Sequence, residues 1–412
     1  MTKLNRIRLS WPMQIVLALF CVAGAWYFGL NVALTGLTSI ERQIRPNSDL
    51  VPAWYGSREM LFHRGDPYAA KVTSDIQNQI YGTQVGSAVD QQQFAYPAFA
   101  AFLFLPFAAL PFPAAEMLAG VVFFALTVCS VYWWAGKPTS HYWILTSILV
   151  CASFPFFYAL HARQPTLLIA GILAASYAAA RSGRLILCGL LLALATAKPQ
   201  LAIAVALPMG AWILNDLKQR KVAVISFVCS AYILLIGSQF FSPNWFTEWL
   251  GVLRSYDRYV AGKPLLVLSM GPLLGNIFSV LILASVAYVI WKWREDLPFT
   301  VAYCVAAFSL LIKYHFYDEM LLLAPITWLA FNRVRFTRWT SRILFAAVAI
   351  SLCMGWFFMI AISLLYMVNQ RAALIVWEFP LGLAGSLPFL VFFSLWQQAF
   401  LIRSRLFIRF SL

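Results

Sequence analysis

The sequence predicts an all-α polytopic membrane protein with about 12 transmembrane helices, and three observations carry this prediction. Hydrophobic residues make up 62% of the 412-residue chain and charged residues only 11%, a balance that soluble domains do not show. Apolar runs of about 20 residues, the length that crosses a bilayer, recur from Trp11 onward. These runs are continuous rather than alternating, which favours helices over transmembrane strands.

The formal net charge of +15 is best interpreted as membrane topology, with no nucleic-acid partner. Basic residues lie between the apolar runs and at the chain ends instead of forming one dense domain. If the N-terminus is cytoplasmic, cytoplasmic segments hold 18 of the 30 basic residues but only 3 of the 15 acidic ones. The positive-inside rule therefore predicts a multi-pass protein of the inner or plasma membrane with both termini in the cytoplasm. The first run is interpreted as an uncleaved signal anchor.

The predicted spans follow one another as a single transmembrane domain over 1–412. No repeat or linker divides the chain, and two outer loops, 37–95 and 242–275, are predicted to form the active-site face. The spans are 12–36, 115–135, 141–160, 165–180, 185–197, 199–214, 222–241, 276–292, 299–313, 316–331, 343–367 and 381–401.

Two segments allow alternative topologies. Residues 96–111 are apolar, but they are too short to cross as a helix and contain Pro106. We expect them to form a juxtamembrane or re-entrant element on the outer side, since crossing would turn the later basic clusters outward. Segments 185–197 and 199–214 are either a hairpin or one helix kinked at Pro199, and the charge balance favours the hairpin.

Common catalytic and cofactor motifs are absent from the sequence. There is no GxSxG, HExxH, GxxxxGK[ST] or GxGxxG pattern. The seven cysteines all fall in apolar runs, so we expect neither a disulfide framework nor a thiolate metal site. No cofactor is predicted; a divalent metal is possible but not required, since no carboxylates cluster at the predicted outer helix ends beyond Asp318-Glu319.

Asp49 is the most informative residue of the first outer loop. It precedes a stretch, 50–63, whose Trp54, Tyr55, Leu61 and Phe62 recur at helical spacing and suit an interfacial helix. With Pro52 in the first turn, Asp49 is as well suited to capping this helix as to catalysis.

Further polar groups stand at the predicted outer ends of apolar helices, where ionisable residues usually face a wet cavity or the protein interior. Each also has a structural interpretation: Lys198 can extend to the head groups, His161 and His315 can bond to backbone, and Arg163 can bind a lipid phosphate. Convergence of an acid, several cations and two histidines on one side of the bundle favours a functional site.

Seven short stretches of the chain form a recognisable series. They are Ser48-Asp49-Leu50, Trp54-Tyr55, Gly65-Asp66-Pro67-Tyr68, Phe94-Ala95-Tyr96-Pro97, Arg163-Gln164-Pro165-Thr166-Leu167-Leu168, Gly189 with Thr196-Ala197-Lys198-Pro199-Gln200, and Tyr314-His315-Phe316-Tyr317. The series resembles glycosyltransferase family 87, which belongs to the GT-C class of membrane glycosyltransferases and includes polyprenol-phosphate-mannose-dependent mannosyltransferases. The resemblance spans about residues 10–330. Family members often have Gly-Gln where this chain has Arg163-Gln164.

The resemblance implies a GT-C-like fold and an inverting sugar transfer at the outer face of the membrane. A mannose-like hexose or a pentose would pass from a polyprenyl-phosphate donor to a lipid or glycan acceptor, among membrane lipids. Asp49 matches the aspartate that acts as general base on the acceptor hydroxyl. Candidates for binding the donor phosphate, which gains charge as the bond breaks, are Lys198, His315 and Arg163. Candidate substrate-binding residues are Gln164, Asp66, Tyr96, Tyr317 and His161.

Two other classes of function stay open on the sequence alone. A lipid-linked sugar flippase or another polytopic transporter would also have many spans and buried charges, although transporters often show inverted repeats and broken midplane helices, which are not found here. A noncatalytic assembly subunit would have a dispensable Asp49.

Overall fold

The computed structural model describes residues 48–86, 91–136, 142–259, 263–312, 315–332, 339–369 and 385–402, which form helices joined by turns. The predicted span 12–36 lies outside these residues. In chain order the helices are α1 (Leu50–Phe62), α2 (Ala70–Tyr81), α3 (Ala100–Ala108), α4 (Phe112–Trp134), α5 (Tyr142–Cys151), α6 (Phe154–His161), α7 (Thr166–Arg181), α8 (Leu185–Ala195), α9 (Pro199–Asn215), α10 (Leu217–Phe241), α11 (Trp245–Tyr259), α12 (Leu265–Trp293), α13 (Leu297–Leu311), a 3₁₀ helix (Phe316–Leu322), α14 (Leu323–Phe331), α15 (Trp339–Val368), α16 (Ser386–Gln397) and a π-helical turn (Gln398–Ile402).

Three helices of the described residues, α4, α10 and α12, are long and apolar enough to cross a membrane. Most of the surface of α10 faces outward, as expected of a helix in contact with lipid. In contrast, α7 and α13 are shorter and are buried almost throughout, so they form the centre of the bundle. The all-helical prediction is confirmed, whereas the predicted number of about twelve spans stays a prediction.

Two predicted spans are each interrupted in the structure. The segment 141–160 forms two helices, α5 and α6, because Pro155 starts a new helix after a turn at Ala152 and Ser153. The segment 316–331 begins with the 3₁₀ helix and continues as α14. Helical periodicity in an apolar run did not reveal either break.

The order of α8, α9 and α10 resolves the alternative at Pro199. The hydroxyl of Ser226 donates to the carbonyl of Ile186 at 2.7 Å, so the first part of α10 lies beside the first part of α8. The 17 residues of α9, which rise about 25 Å, must therefore return the chain to that end. Segments 185–197 and 199–214 thus form the predicted hairpin, with Lys198 at its turn.

The two predicted outer loops contact each other. The indole of Trp249 in α11 donates to the carbonyl of Ala95 at 3.1 Å, and the hydroxyl of Ser255 donates to the Gln93 side chain at 3.4 Å. The nine-residue α3 lies next to them and rises only about 13 Å, too little to cross a bilayer alone. The described parts of both loops and α3 therefore lie on one side of the bundle.

Candidate functional site

Asp49 stands at the start of α1, but its side chain makes no capping hydrogen bond to that helix. Its backbone N–H donates to the carbonyl of Ala162 at 2.8 Å, which ties the start of α1 to the turn between α6 and α7. Its carboxylate accepts a hydrogen bond from the side-chain amide of Gln164. The capping interpretation of Asp49 is therefore wrong, and its carboxylate is directed toward the α6–α7 turn.

Gln164 is buried in the α6–α7 turn, and backbone bonds fix its position. Its N–H donates to the carbonyl of Ala159 at 2.9 Å, and its own carbonyl accepts from the N–H of Leu167 at 3.1 Å. Because the backbone is held on both sides, the side-chain amide is presented to Asp49 at little further entropic cost. The structure thus makes Gln164 an orienting partner of the predicted base.

A second polar cluster begins two residues further along the chain, at Thr166. The Lys198 ammonium donates to the Thr166 hydroxyl at 2.5 Å and to the Asp318 carboxylate at 2.9 Å. The Thr166 hydroxyl donates in turn to the same oxygen of Asp318 at 2.8 Å. The Lys198 and Asp318 side chains are only 11% and 5% exposed, so this is a buried ion pair and not a lysine extended to the head groups.

Aromatic rings complete the surroundings of Lys198. Its ammonium lies 5.0 Å from the ring centroid of Tyr317, within cation–π range. The imidazole of His315 stacks on the same ring, with centroids 5.2 Å apart and planes at 3°. The structure therefore brings together Lys198, Tyr317 and His315, three of the predicted site residues.

The N-termini of two helices meet at this cluster. Helix α7 begins at Thr166 and α9 begins at Pro199, directly after Lys198. Their first N–H groups have no partner within the helix and carry partial positive charge, so both helix ends favour an anion nearby. The Asp318 carboxylate lies at this position in the structure, and it is a residue to which the sequence assigned no role.

Asp318 has one further property that bears on function. It is 6% exposed, and its second carboxylate oxygen is buried without a hydrogen-bond partner among the described residues. An unsatisfied buried carboxylate oxygen is unfavourable, so it marks a place where a proton, water or ligand donor is accommodated. The signal in the sequence was an acid inside an apolar run, but its partner could not be read from spacing.

Arg163 has a different environment from Lys198. Its guanidinium donates to the backbone carbonyls of Glu116, in α4, at 3.1 Å and of Leu160, at the end of α6, at 2.5 Å. Its φ of 51° lies in the left-handed region, which explains why glycine suits this position in the family pattern. In this structure Arg163 ties α4 to the α6–α7 turn; its predicted contact with the donor phosphate stays a prediction.

Asp66 and Tyr96 lie in a neighbouring cluster of the outer loops. The Tyr68 hydroxyl donates to the carbonyl of Tyr96 at 2.8 Å, and the N–H of Tyr68 donates to the Asp66 carboxylate at 3.0 Å. Burial, together with the adjacent Asp66 carboxyl, raises the pKa of Glu248 in α11. The two acids thus form a pair that favours holding a proton, and they join the first loop to the second.

His161 has a different set of contacts from the other predicted site residues. It is exposed at the end of α6, and its ring stacks on Phe157 with centroids 6.0 Å apart. No group of three or more His, Cys, Asp or Glu side chains within the described ranges is placed to hold a metal ion. The groups that the structure does bring together are an oriented carboxylate, a buried ammonium and aromatic rings.

These features define a class: a helical membrane protein with long apolar helices and a polar site built at one end of the bundle. The sequence profile of glycosyltransferase family 87 matches residues 94–313, more than half of the chain. The chain belongs to this family and is a membrane glycosyltransferase, which favours sugar transfer over the transport alternative. A comparison with curated proteins gives no match.

The matched range divides the predicted site residues into two groups. It includes Gln164 and Lys198, and with them Tyr96, His161 and Arg163. The residues outside it are Asp49, Asp66, His315 and Tyr317. Since Asp49 bonds to Gln164 and Tyr317 contacts Lys198, the fold joins these two unmatched residues to matched ones.

Proposed function

We propose that the protein transfers a sugar from a polyprenyl-phosphate donor to a lipid or glycan acceptor, with inversion and with Asp49 as general base. The observation that carries the proposal is the α7 N-terminus, where Gln164 holds Asp49 and Thr166 holds Lys198. Two peptide units separate these anchors, so their Cα atoms are at most about 7.6 Å apart. A base and a phosphate-binding cation therefore share one rigid support.

Asp49 suits the role of base for a physical reason. Attack of an alcohol on the anomeric carbon requires a positioned group to take the hydroxyl proton as the bond forms. The amide of Gln164 donates to the carboxylate and fixes its direction. A single displacement on the face opposite to the leaving phosphate gives inversion.

Lys198 suits the role of phosphate ligand even though it is paired. An ammonium has three N–H donors, and the structure directs two of them to Thr166 and Asp318. The third is available to a donor phosphate, together with the N-termini of α7 and α9. Asp318 cancels the charge of Lys198. Hydrogen-bond geometry and helix dipoles therefore contribute more to phosphate binding than net charge does.

The remaining predicted residues are assigned around this centre. His315 and Tyr317 flank Lys198 and are proposed to contact the phosphate and the sugar, respectively. Gln164 orients Asp49, while Asp66, Tyr96 and His161 are proposed to contact the acceptor. The donor sugar is proposed to be a hexose or a pentose, and the charge asymmetry of the sequence supports an outer-face site in the inner or plasma membrane.

The test is Asp49→Asn in the purified, reconstituted protein with polyprenyl-phosphate sugars. Asparagine keeps the size and the acceptor for Gln164, so folding and donor affinity should be near native while turnover falls about 10²–10⁴-fold. The matched control is Asp75→Asn, which removes a carboxylate of α2 that accepts from Tyr55 at 3.0 Å. Turnover of Asp49→Asn equal to that of the control would refute the assignment of the base.

A further inference from the structure

The carboxylate of Asp318 is held by one of its two oxygens. The Lys198 ammonium, at 2.9 Å, and the Thr166 hydroxyl, at 2.8 Å, both donate to this same oxygen. The second oxygen is buried and accepts no hydrogen bond from the described residues. A carboxylate can accept about four hydrogen bonds, so these contacts use only part of the capacity of Asp318.

The position that Asp318 occupies also suits another anion. Helix α7 begins at Thr166 and α9 begins directly after Lys198, and the residue before each helix makes no side-chain capping bond. Neither first turn contains an acidic residue of its own. An ammonium beside two uncapped helix N-termini is a favourable environment for a phosphate group. The carboxylate of Asp318, which comes from a distant part of the chain, therefore stands where a phosphate is favoured.

Two anions cannot contact the same ammonium without repelling each other. The Lys198 and Asp318 side chains are only 11% and 5% exposed, so solvent screens this repulsion weakly. A phosphate that binds Lys198 must therefore weaken the bond between Lys198 and Asp318. Removal of the carboxylate charge should then strengthen phosphate binding, whereas loss of a merely structural residue would weaken it.

We propose that Asp318 is an internal anion that competes with the phosphate of the donor and of the product for Lys198. Asp318 is thus a positioning residue that acts through Lys198 and touches no reacting atom. This role rests on the proposed function only for the identity of the competing anion.

The competition matters most after sugar transfer. When the bond between the anomeric carbon and the phosphate oxygen breaks, its electron pair stays on that oxygen, while the acceptor proton passes to the base. The product phosphate therefore carries more negative charge than the donor phosphate and holds Lys198 more tightly. Return of the Asp318 carboxylate to Lys198 opposes this tighter binding and so favours release of the polyprenyl phosphate.

The experiment is isothermal titration calorimetry of the purified full chain in detergent with geranyl phosphate, a short-chain probe for the product. Asp318→Asn keeps the size of the side chain and the acceptor for Thr166 but removes the charge. Its dissociation constant for the probe should be about tenfold lower than that of the wild type. Geraniol, which lacks the phosphate, should bind both proteins equally.

Two further variants separate the charge of Asp318 from its structural contacts. Thr166→Val removes an uncharged group that bonds to both Lys198 and Asp318, so it should not tighten the binding of geranyl phosphate. Asp318→Glu keeps the charge and should bind the probe no more tightly than the wild type does. In the transfer assay, Asp318→Asn should lower both kcat and the apparent KM for the donor, because the product leaves slowly.

Every other outcome contradicts the proposal. Equal or weaker binding of geranyl phosphate to Asp318→Asn would refute the competition and would leave the phosphate role of Lys198 intact. A tightening that geraniol shares would assign the effect to space instead of charge. Absence of binding to both proteins would refute the competition together with the phosphate role of Lys198.

Instability of the variant is itself informative. If Asp318→Asn unfolds on extraction, geranyl phosphate present during extraction should keep it folded, because the phosphate supplies the missing anion. Geraniol at the same concentration should not. Failure of geranyl phosphate to protect the variant would contradict the proposal.

Discussion

At the scale of single residues, the pairing of Lys198 with Asp318 has consequences for stability as well as for binding. Both side chains are buried, so removal of one partner leaves an uncompensated charge in a poorly solvated site. Removal of both charges leaves a neutral cluster around Thr166. Stability and donor binding can therefore be separated by comparing single and double variants.

We expect Lys198→Met to lower the stability by about 3–5 kcal/mol and to weaken donor binding. Lys198→Met/Asp318→Asn should regain most of the stability, because asparagine still accepts from Thr166, but it should not regain donor affinity. Thermal unfolding in detergent and the apparent KM for the donor measure the two effects. Recovery of donor affinity in the double variant would show that Lys198 is only structural.

The pair of Asp66 and Glu248 predicts a pH dependence of stability. Burial and the neighbouring carboxyl raise the pKa of Glu248 above its ordinary value of 4.5, so the folded state holds this proton more tightly than the unfolded state does. The resulting stabilisation is complete below about pH 4.5 and is lost as the pH rises through the raised pKa.

Glu248→Gln mimics the protonated acid and should remove this dependence. The variant and the wild type should have similar Tm values near pH 4.5, and the variant should become the more stable of the two as the pH rises toward neutrality. Thermal unfolding of both proteins across this range tests the prediction. A difference in Tm that is independent of pH would mean that folding does not raise the pKa of Glu248.

At the scale of elements, the contact between α8 and α10 depends on a glycine. A Cβ on Gly189 would lie 2.6 Å from the backbone nitrogen of Phe227 and against the carbonyl of Ala223. Backbone atoms cannot move as a side-chain end does, so a larger residue must separate the two helices. The hairpin of α8 and α9, which has Lys198 at its turn, depends on this contact between α8 and α10.

Gly189→Ala should therefore destabilise the protein by about 1–3 kcal/mol. The matched control is Gly210→Ala in α9, where an added Cβ meets nothing within 4 Å and alanine favours the helix by up to about 1 kcal/mol. Thermal unfolding of both variants provides the comparison. Equal stability of the two variants would contradict the close packing of α8 on α10.

Element boundaries were predictable where polar residues or prolines end an apolar run. The hairpin of α8 and α9 and the helix after Asp49 were predicted close to their observed limits. The 3₁₀ helix at Phe316–Leu322 was not, because its contacts with α6, α7 and α13 decide the local backbone. The periodicity of apolar residues indicates which residues are buried. It does not indicate where packing against neighbouring helices interrupts a helix within an apolar run.

At the scale of the whole molecule, the contacts between the two outer loops predict a common side of the membrane. In a background without cysteine, Gln79→Cys in α2 and Thr247→Cys in α11 should both react with an impermeant thiol reagent in intact cells. Both positions are exposed. Lys218→Cys, at the other end of α10, should react only after permeabilisation, as the charge asymmetry requires.

The labelling experiment has two ways to fail. Reaction of Gln79→Cys without Thr247→Cys would contradict the contact between the loops. Reaction of Lys218→Cys in intact cells would reverse the orientation and would place the polar site in the cytoplasm. Either result can be obtained without a substrate, so it is independent of the proposed sugar transfer.

The sequence by itself determined that the chain is helical and lies in a membrane, because long continuous apolar runs have no other stable arrangement. It also determined which polar residues stand at helix ends, among them Asp49 and Lys198. Only the tertiary structure decided which of these groups meet. Gln164 holds a carboxylate 115 positions away and Asp318 pairs with an ammonium 120 positions away. Contacts over such separations follow from helix packing, which local periodicity does not encode.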